Sequence, residues 1–271
     1  MRRITIFLSY GLLILASLAV LVPVAWLISA SFKTKAQMAV WPPLFVFKPT
    51  FVAYREILSG NFPSYFLNSL IISTSSVLVS LAIGVPAAYG ITRLKFKGRE
   101  SFKFWILSTR MAPPFGFIIP YFLIFRNVRL LDTYTALIVI YSVFNLSFII
   151  WMLIGFIQEI PREIEEAAMI DGCSRWVILL RIVLPLIAPG LSATMILSFI
   201  FSWNEFLYAF VLTAAKTKTA PVAITNYIGF YGIEWDRMCA CSTICILPIL
   251  ILALLVQKYL VRGLTLGAVK G

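Results

Sequence analysis

The 271 residues contain no histidine. That absence removes histidine acid–base catalysis, a histidine proton relay and most zinc or haem ligation. Charge is scarce as well: Asp, Glu, Lys and Arg make up 13% of the chain, against roughly 25% in a soluble globular protein. Hydrophobic residues take 61%, so water is not the main solvent of this polypeptide. A Gly-x-x-x-x-Gly-Lys-Ser/Thr loop is missing, which leaves the chain without the usual cradle for nucleotide phosphates. The four cysteines, Cys173, Cys239, Cys241 and Cys245, lack the paired spacing of a zinc site and read as small buried hydrophobes.

What charge there is falls in clusters. Uncharged windows run from Ile4 to Phe32, Ile57 to Thr92, Thr133 to Gln158 and Met238 to Gln257, each long enough for the roughly 20 helical residues that cross a bilayer core. Two more windows qualify with one interior charge each, Phe104 to Phe125 with Arg110 and Ile182 to Ala215 with Glu205. The pattern predicts an all-α polytopic membrane protein with about six transmembrane helices. Continuous apolar runs argue against a β-barrel, whose strands alternate over short segments. The stretch after Met1-Arg2-Arg3 outruns a signal-peptide core and ends without a small-x-small cleavage site, so it reads as a retained first helix.

Lys and Arg set the orientation. Arg93, Lys95, Lys97, Arg99 and Lys103 crowd the second connection and predict that it is cytoplasmic. An even number of helices then places both termini, with Arg2, Arg3, Lys258, Arg262 and Lys270, on the cytoplasmic side. Lys33, Lys35, Lys48 and Arg55 in the first outer loop run against the rule. The formal net charge of +12 does not point to nucleic acid, because the bases are spread over both sides of a membrane instead of lining one groove.

The connection from Gln158 to Leu184 is unusual. It holds Glu159, Glu163, Glu165, Glu166 and Asp171, five of the eleven acidic residues of a basic protein. Pro161 suits the start of a helix, and the acidic residues after it fall where the helix dipole favours negative charge. Gly172 suits the left-handed turn that ends a helix, and a second segment starts near Ser174 and runs into Pro185. Spacing places Glu163, Glu166, Ala167 and Ile170 on one face, with Ala168 adding little bulk. Anionic headgroups repel such a face, which favours a protein socket.

These residues carry a resemblance. Glu166-Ala167-Ala168, Asp171-Gly172 and Leu184-Pro185 resemble the EAA loop of permease subunits of ATP-binding-cassette importers. The resemblance implies that Glu163, Glu166, Ala167, Ala168, Ile170, Asp171 and Gly172 form a coupling helix that docks into an ATPase subunit. Tyr65-Phe66-Leu67-Asn68-Ser69-Leu70, Ala87-Ala88-Tyr89 with Phe96-Lys97-Gly98, Ser202 to Tyr208 and the tail Gly263 to Gly271 look like the MalG-type subunit of carbohydrate importers. Cys173 stands where that family often has alanine.

The family likeness implies one permease domain over residues 1–271, with a core at 66–261, the EAA loop at 158–185 and an outer loop at 213–237. It implies a paralogous permease, two ATPase subunits that bind ATP and Mg, an extracytoplasmic sugar-binding protein reached by the outer loop, and a prokaryotic inner membrane. The chain itself is then a transporter subunit with no cofactor and no ATPase site of its own.

Within the spans, Trp203, Asn204, Glu205 and Tyr208 combine aromatic faces with hydrogen-bonding groups, as sugar sites do, and are expected along the substrate path. Counted along one helix from Pro185, Glu205 lies about 30 Å away, near the outer interface. Arg110, about 10 Å deep, is expected to pair with a polar group or to snorkel to the interface rather than to contact substrate. An importer for a non-sugar solute is the alternative. An ion-coupled transporter usually needs more buried acids than Glu205, and a membrane enzyme needs a carboxylate cluster that does not sit on a docking helix.

Overall fold

The computed structural model describes the backbone of residues 2–230 and 232–266, with side chains from 6 to 230 and from 232 to 255. Lys270 and the end of the tail motif, 267–271, lie outside the described residues. In chain order the helices are α1 (Arg2–Ala30), α2 (Lys35–Met38), α3 (Val52–Ser59), α4 (Phe62–Arg93), α5 (Arg99–Met111), α6 (Pro114–Asn127) and α7 (Tyr134–Gln158). They continue as α8 (Arg162–Ile170), α9 (Arg175–Ile178), α10 (Leu184–Leu186), α11 (Ala188–Trp203), α12 (Leu207–Leu212), α13 (Ala220–Ile224) and α14 (Trp235–Leu266). A π-helical turn, Leu179–Val183, joins α9 to α10. A small antiparallel hairpin of β1 (Ile228–Gly229) and β2 (Gly232–Ile233) precedes α14.

Among the described residues α1, α4, α7 and the Trp235–Leu255 part of α14 are long and apolar enough to cross a bilayer. None of the most apolar window of α1 is buried within the chain, which suits a helix whose solvent is lipid or another subunit. Two expected spans are interrupted. The window from Phe104 to Phe125 is two helices: α5 stops at Met111, Ala112 turns extended at ψ 130°, and Pro113 and Pro114 open α6. A proline forces the residue before it out of the helical region and brings no N–H, so two in succession end a helix.

The window from Ile182 to Ala215 breaks twice. Arg175–Leu186 and Ala188–Trp203 meet at an angle of 82°, with Ile187 between Pro185 and Pro189. A second break follows Asn204, before α12. Counting along one straight helix therefore does not give the depth of Glu205.

The chain divides into two compact units, residues 1–66 with 220–247 and residues 67–219 with 248–271. In the first, Ala53 and Ile57 of α3 pack with Ala220, Ala223, Ala240, Cys241 and Cys245. Cys241 and Cys245 are buried and Cys173 and Cys239 half-buried, and none of the four is in a disulfide. Arg237 joins Glu56 at 2.8 Å and Glu234 at 2.8 Å, tying the start of α14 to α3. Lys33, one of the bases that ran against the charge rule, is 2% exposed. Its ammonium donates to the Leu44 carbonyl at 2.7 Å and sits over the rings of Trp26 and Phe47, so it serves packing and not orientation.

The second unit is built around α7. A Cβ added to Gly84 of α4 meets Ile149 Cγ2 at 2.8 Å, and one added to Gly190 of α11 meets the Phe156 ring at 2.5 Å. Gly190→Ala is expected to cost about 1–3 kcal/mol by overpacking. A lowered melting midpoint in detergent checks this, against Gly155→Ala, whose Cβ meets nothing within 4 Å, as the control.

A seam of small polar side chains also joins α4, α7 and α11. Asn145 Nδ2 donates to Ser202 Oγ at 2.7 Å, Ser202 shares a hydrogen bond with Ser76 at 3.2 Å, Ser80 Oγ donates to the Ser142 carbonyl at 3.2 Å, and Ser142 Oγ donates to the Ser76 carbonyl at 3.2 Å. Ser198, one turn before Ser202, is fully buried, and its hydroxyl has no hydrogen-bond partner among the described residues.

Candidate functional site

Helix α8 is shaped by its local sequence. Pro161 caps it with extended ψ (135°), Glu163 and Glu165 occupy its first turn, and the chain reverses at Gly172 with φ +82°. The amides of Gly172 and Cys173 return to the carbonyls of Met169 and Ala168 at 3.1 and 3.0 Å, satisfying the end of the helix. Ser174 then caps α9, its Oγ accepting from the Val177 amide.

The two faces of α8 divide sharply. Glu163, Glu166, Ala167 and Ile170 are exposed, as are Ile164 and Met169, and Ile170 is 87% exposed. Asp171 and Gly172 are exposed at the reversal. Ala168, grouped by sequence with the docking residues, turns inward and packs near Ile160 and Ile178 in the core cluster. Glu165 turns inward with it, one helical turn away.

Glu165 is the centre of a buried clamp. Arg93 Nε, in the last turn of α4, donates to Glu165 Oε1 at 2.6 Å, and the Tyr89 hydroxyl donates to Oε2 at 2.9 Å. The side chains of Arg93 and Glu165 are only 7% and 6% exposed. Arg93 Nη2 also donates to the carbonyls of Ile157 and Ile160 at 2.9 Å each, at the end of α7. One guanidinium thus joins the ends of two long helices to the inner face of α8. Sequence reasoning counted Arg93 as an orientation signal and passed over Glu165 for its neighbour Glu166. The spacing of Glu165 and Ala168, three residues apart beneath an exposed acidic face, was the available signal.

A second anchor holds the segment from Ala214 to Lys218. Asp132, at φ 54°, accepts hydrogen bonds from the amides of Ala214, Ala215, Lys216 and Thr217 at 3.0–3.2 Å and from the Thr217 hydroxyl at 2.9 Å. Burial pushes its carboxyl up, but the amides of Ala214, Thr217 and Lys216 with the Thr217 hydroxyl outweigh that and hold it well below the usual carboxylate range. Asn68 Nδ2 donates to the carbonyls of Lys216 and Lys218, and Tyr134 donates to Asn68 Oδ1 at 2.6 Å.

The four residues expected on the substrate path are close in sequence but placed differently. Trp203 is 1% and Tyr208 2% exposed. Asn204 is exposed, its amide returning to the Ile200 carbonyl at 2.9 Å. Glu205 is half-buried and caps α12, its two oxygens accepting from the Tyr208 and Ala209 amides at 3.0 and 3.2 Å. This local satisfaction accounts for a carboxylate beside a membrane helix. No group of histidine, cysteine or acidic side chains fit for a metal ion occurs among the described residues.

The comparisons agree with this architecture. Residues 80–266 match the family described as "Binding-protein-dependent transport system inner membrane component". The trehalose/maltose transport system permease protein MalG of Thermococcus litoralis is 37% identical over 263 residues, covering 95% of this chain and 94% of the relative. The sulfoquinovosyl glycerol transport system permease protein SmoH of Agrobacterium fabrum is 37% identical over 254 residues, covering 93% and 89%. A chain of a bacterial ABC transporter involved in import of the acidic polysaccharide alginate superposes with a TM-score of 0.80 at 26% identity, covering 95% of this chain and 96% of that one. Matched over residues 80–266, which hold the clamp and α8, this multi-pass helical chain belongs to the binding-protein-dependent transport system inner membrane components.

Proposed function

We propose that this chain is the pore-forming permease subunit of an ATP-driven importer of a sugar or oligosaccharide, and that α8 is its cytoplasmic coupling helix. The observation that carries the reading is the division of α8: an exposed acidic and apolar face, Glu163, Glu166, Ala167 and Ile170, mounted on a buried charge clamp. The sugar transport named for the MalG relative and the polysaccharide import named for the superposed transporter support the substrate class.

In this reading two ATPase subunits bind ATP and Mg and receive α8 and its counterpart from a paralogous permease. Their closure displaces α8, and the clamp passes the movement to α4 and α7. The outer loop, 213–237, meets an extracytoplasmic sugar-binding protein. Six crossings of a prokaryotic inner membrane result when α5–α6 and α9–α11 each count as one broken crossing, with both termini cytoplasmic. The solute passes Asn204, with Glu205, Trp203 and Tyr208 shaping the wall behind it.

Copurification is the test. A tagged chain brings down an ATPase, and Glu166→Lys, which reverses a charge on the exposed face, lowers the amount recovered several-fold. Gly172→Pro does the same through the reversal, because proline cannot take φ +82°. Recovery of an intact, fully active complex from both variants overturns the coupling role.

A further inference from the structure

We propose that Arg110, set on Phe148 and Phe201, binds an oxyanion substituent, a carboxylate or sulfonate, of the saccharide passing through the pore. This deepens the importer reading and rests on it.

The placement is the first argument. The guanidinium carbon of Arg110 lies 4.7 Å from the ring centre of Phe148 and 4.9 Å from that of Phe201. Phe148 is ten residues from Gln158, the end of α7, hence about 15 Å along that helix and near the middle of a hydrocarbon core roughly 30 Å thick. A cation at that depth on a lipid-facing surface is costly, and intramembrane arginines face a bundle interior or a water-filled path. Arg110 is exposed on this subunit, so it faces the path or the partner permease.

Valency is the second argument. The rings attract the cation through their faces but accept no ordinary hydrogen bond. Among the described residues no carboxylate or carbonyl takes a hydrogen bond from this guanidinium. Its planar fork of N–H donors is therefore left for a group outside the chain, and it matches the two oxygens of a carboxylate or sulfonate.

The surroundings are the third. Phe144 lies one turn from Phe148 on α7 and meets Tyr208 at 5.0 Å in a tilted contact, Tyr208 meets Tyr121 at 5.9 Å, and Tyr121 meets Phe117 at 6.1 Å. Phe117 is exposed, and Phe144 and Tyr121 are partly exposed. Aromatic faces suit the C–H faces of pyranose rings. A run of such faces ending in one unpaired cationic fork fits an acidic saccharide better than a neutral one.

The experiment uses the whole complex, with both permeases, the ATPases and the cognate binding protein, in proteoliposomes. Calorimetry on the binding protein first compares a hexuronate disaccharide, a sulfonated hexoside and a neutral disaccharide. The proposal expects an acidic sugar to bind and its ATP-driven uptake to fall at least tenfold in Arg110→Gln. Arg110→Lys retains an intermediate rate, and Phe148→Leu lowers uptake several-fold while leaving the charge in place. Solute-independent ATPase activity stays unchanged. A binding protein that takes only neutral sugars overturns the proposal, as does equal uptake by the wild type and Arg110→Gln. Loss of the partner permease from the Arg110→Gln complex assigns the arginine to the subunit interface and equally overturns it. Failure of the wild type to take up any solute with ATP sinks the importer reading instead.

Discussion

Arg93→Ala leaves the Glu165 carboxylate buried without its counter-charge, and the expected loss is about 3–5 kcal/mol, the usual result of removing one member of a buried ion pair. Two main-chain carbonyls, Ile157 and Ile160, lose their donor in the same stroke. Part of that loss is general destabilisation, so a second variant separates stability from coupling. Replacing both partners by apolar residues, Arg93→Met with Glu165→Leu, removes the stranded charge and is expected to recover much of the melting midpoint. It does not restore the tie between α8 and the ends of α4 and α7. An importer complex carrying the double variant is therefore expected to keep the ATP hydrolysis of its ATPase subunits while moving about tenfold less solute per ATP. Unchanged stoichiometry in proteoliposomes limits the clamp to a structural part.

Asp132→Asn keeps a side chain that tolerates positive φ and nearly the same volume, and so isolates the charge. The expected cost is about 1.5–3 kcal/mol, that of weakening hydrogen bonds to a charged acceptor. Three of the amides are exposed and recover water, which keeps the figure below the sum of five bonds. The pH dependence has a definite sign. Because the folded carboxyl titrates below its ordinary value, its contribution is complete above an unfolded pKa of about 4 and is lost as the pH falls through the lower folded value. Melting midpoints measured from neutral to strongly acidic pH should converge for wild type and variant at the acid end. A constant difference across that range removes the ionised carboxylate as the cause.

Legibility in the sequence followed the range of the interaction. Pro161, Gly172 and Ser174 act on their own backbone and the next turn, so the helix, the reversal and the second start could be read directly. Hydropathy averages over a window and misses what a proline pair does at one point, which is why Phe104 to Phe125 looked continuous. Glu165 and Glu166 are chemically alike and adjacent; Arg93 and Tyr89, distant in sequence, decide which one turns inward. Lys33 looked topogenic because its partners, a carbonyl and two rings, leave no charge signature. Asp132 escaped notice altogether, since its ligands are backbone amides, which every residue but proline carries.

The serine-rich seam has a mechanical implication. A hydroxyl both gives and receives, so partners along such a line are interchangeable. Ser198 stands one turn from Ser202 on the same helix with an idle hydroxyl. Advancing α11 by one turn, about 5.4 Å, carries Ser198 to the berth that Ser202 leaves opposite Asn145 and Ser76. The Ser198 hydroxyl that is idle in the present register finds a donor and an acceptor in the advanced one, so the exchange keeps the same chemistry at that berth.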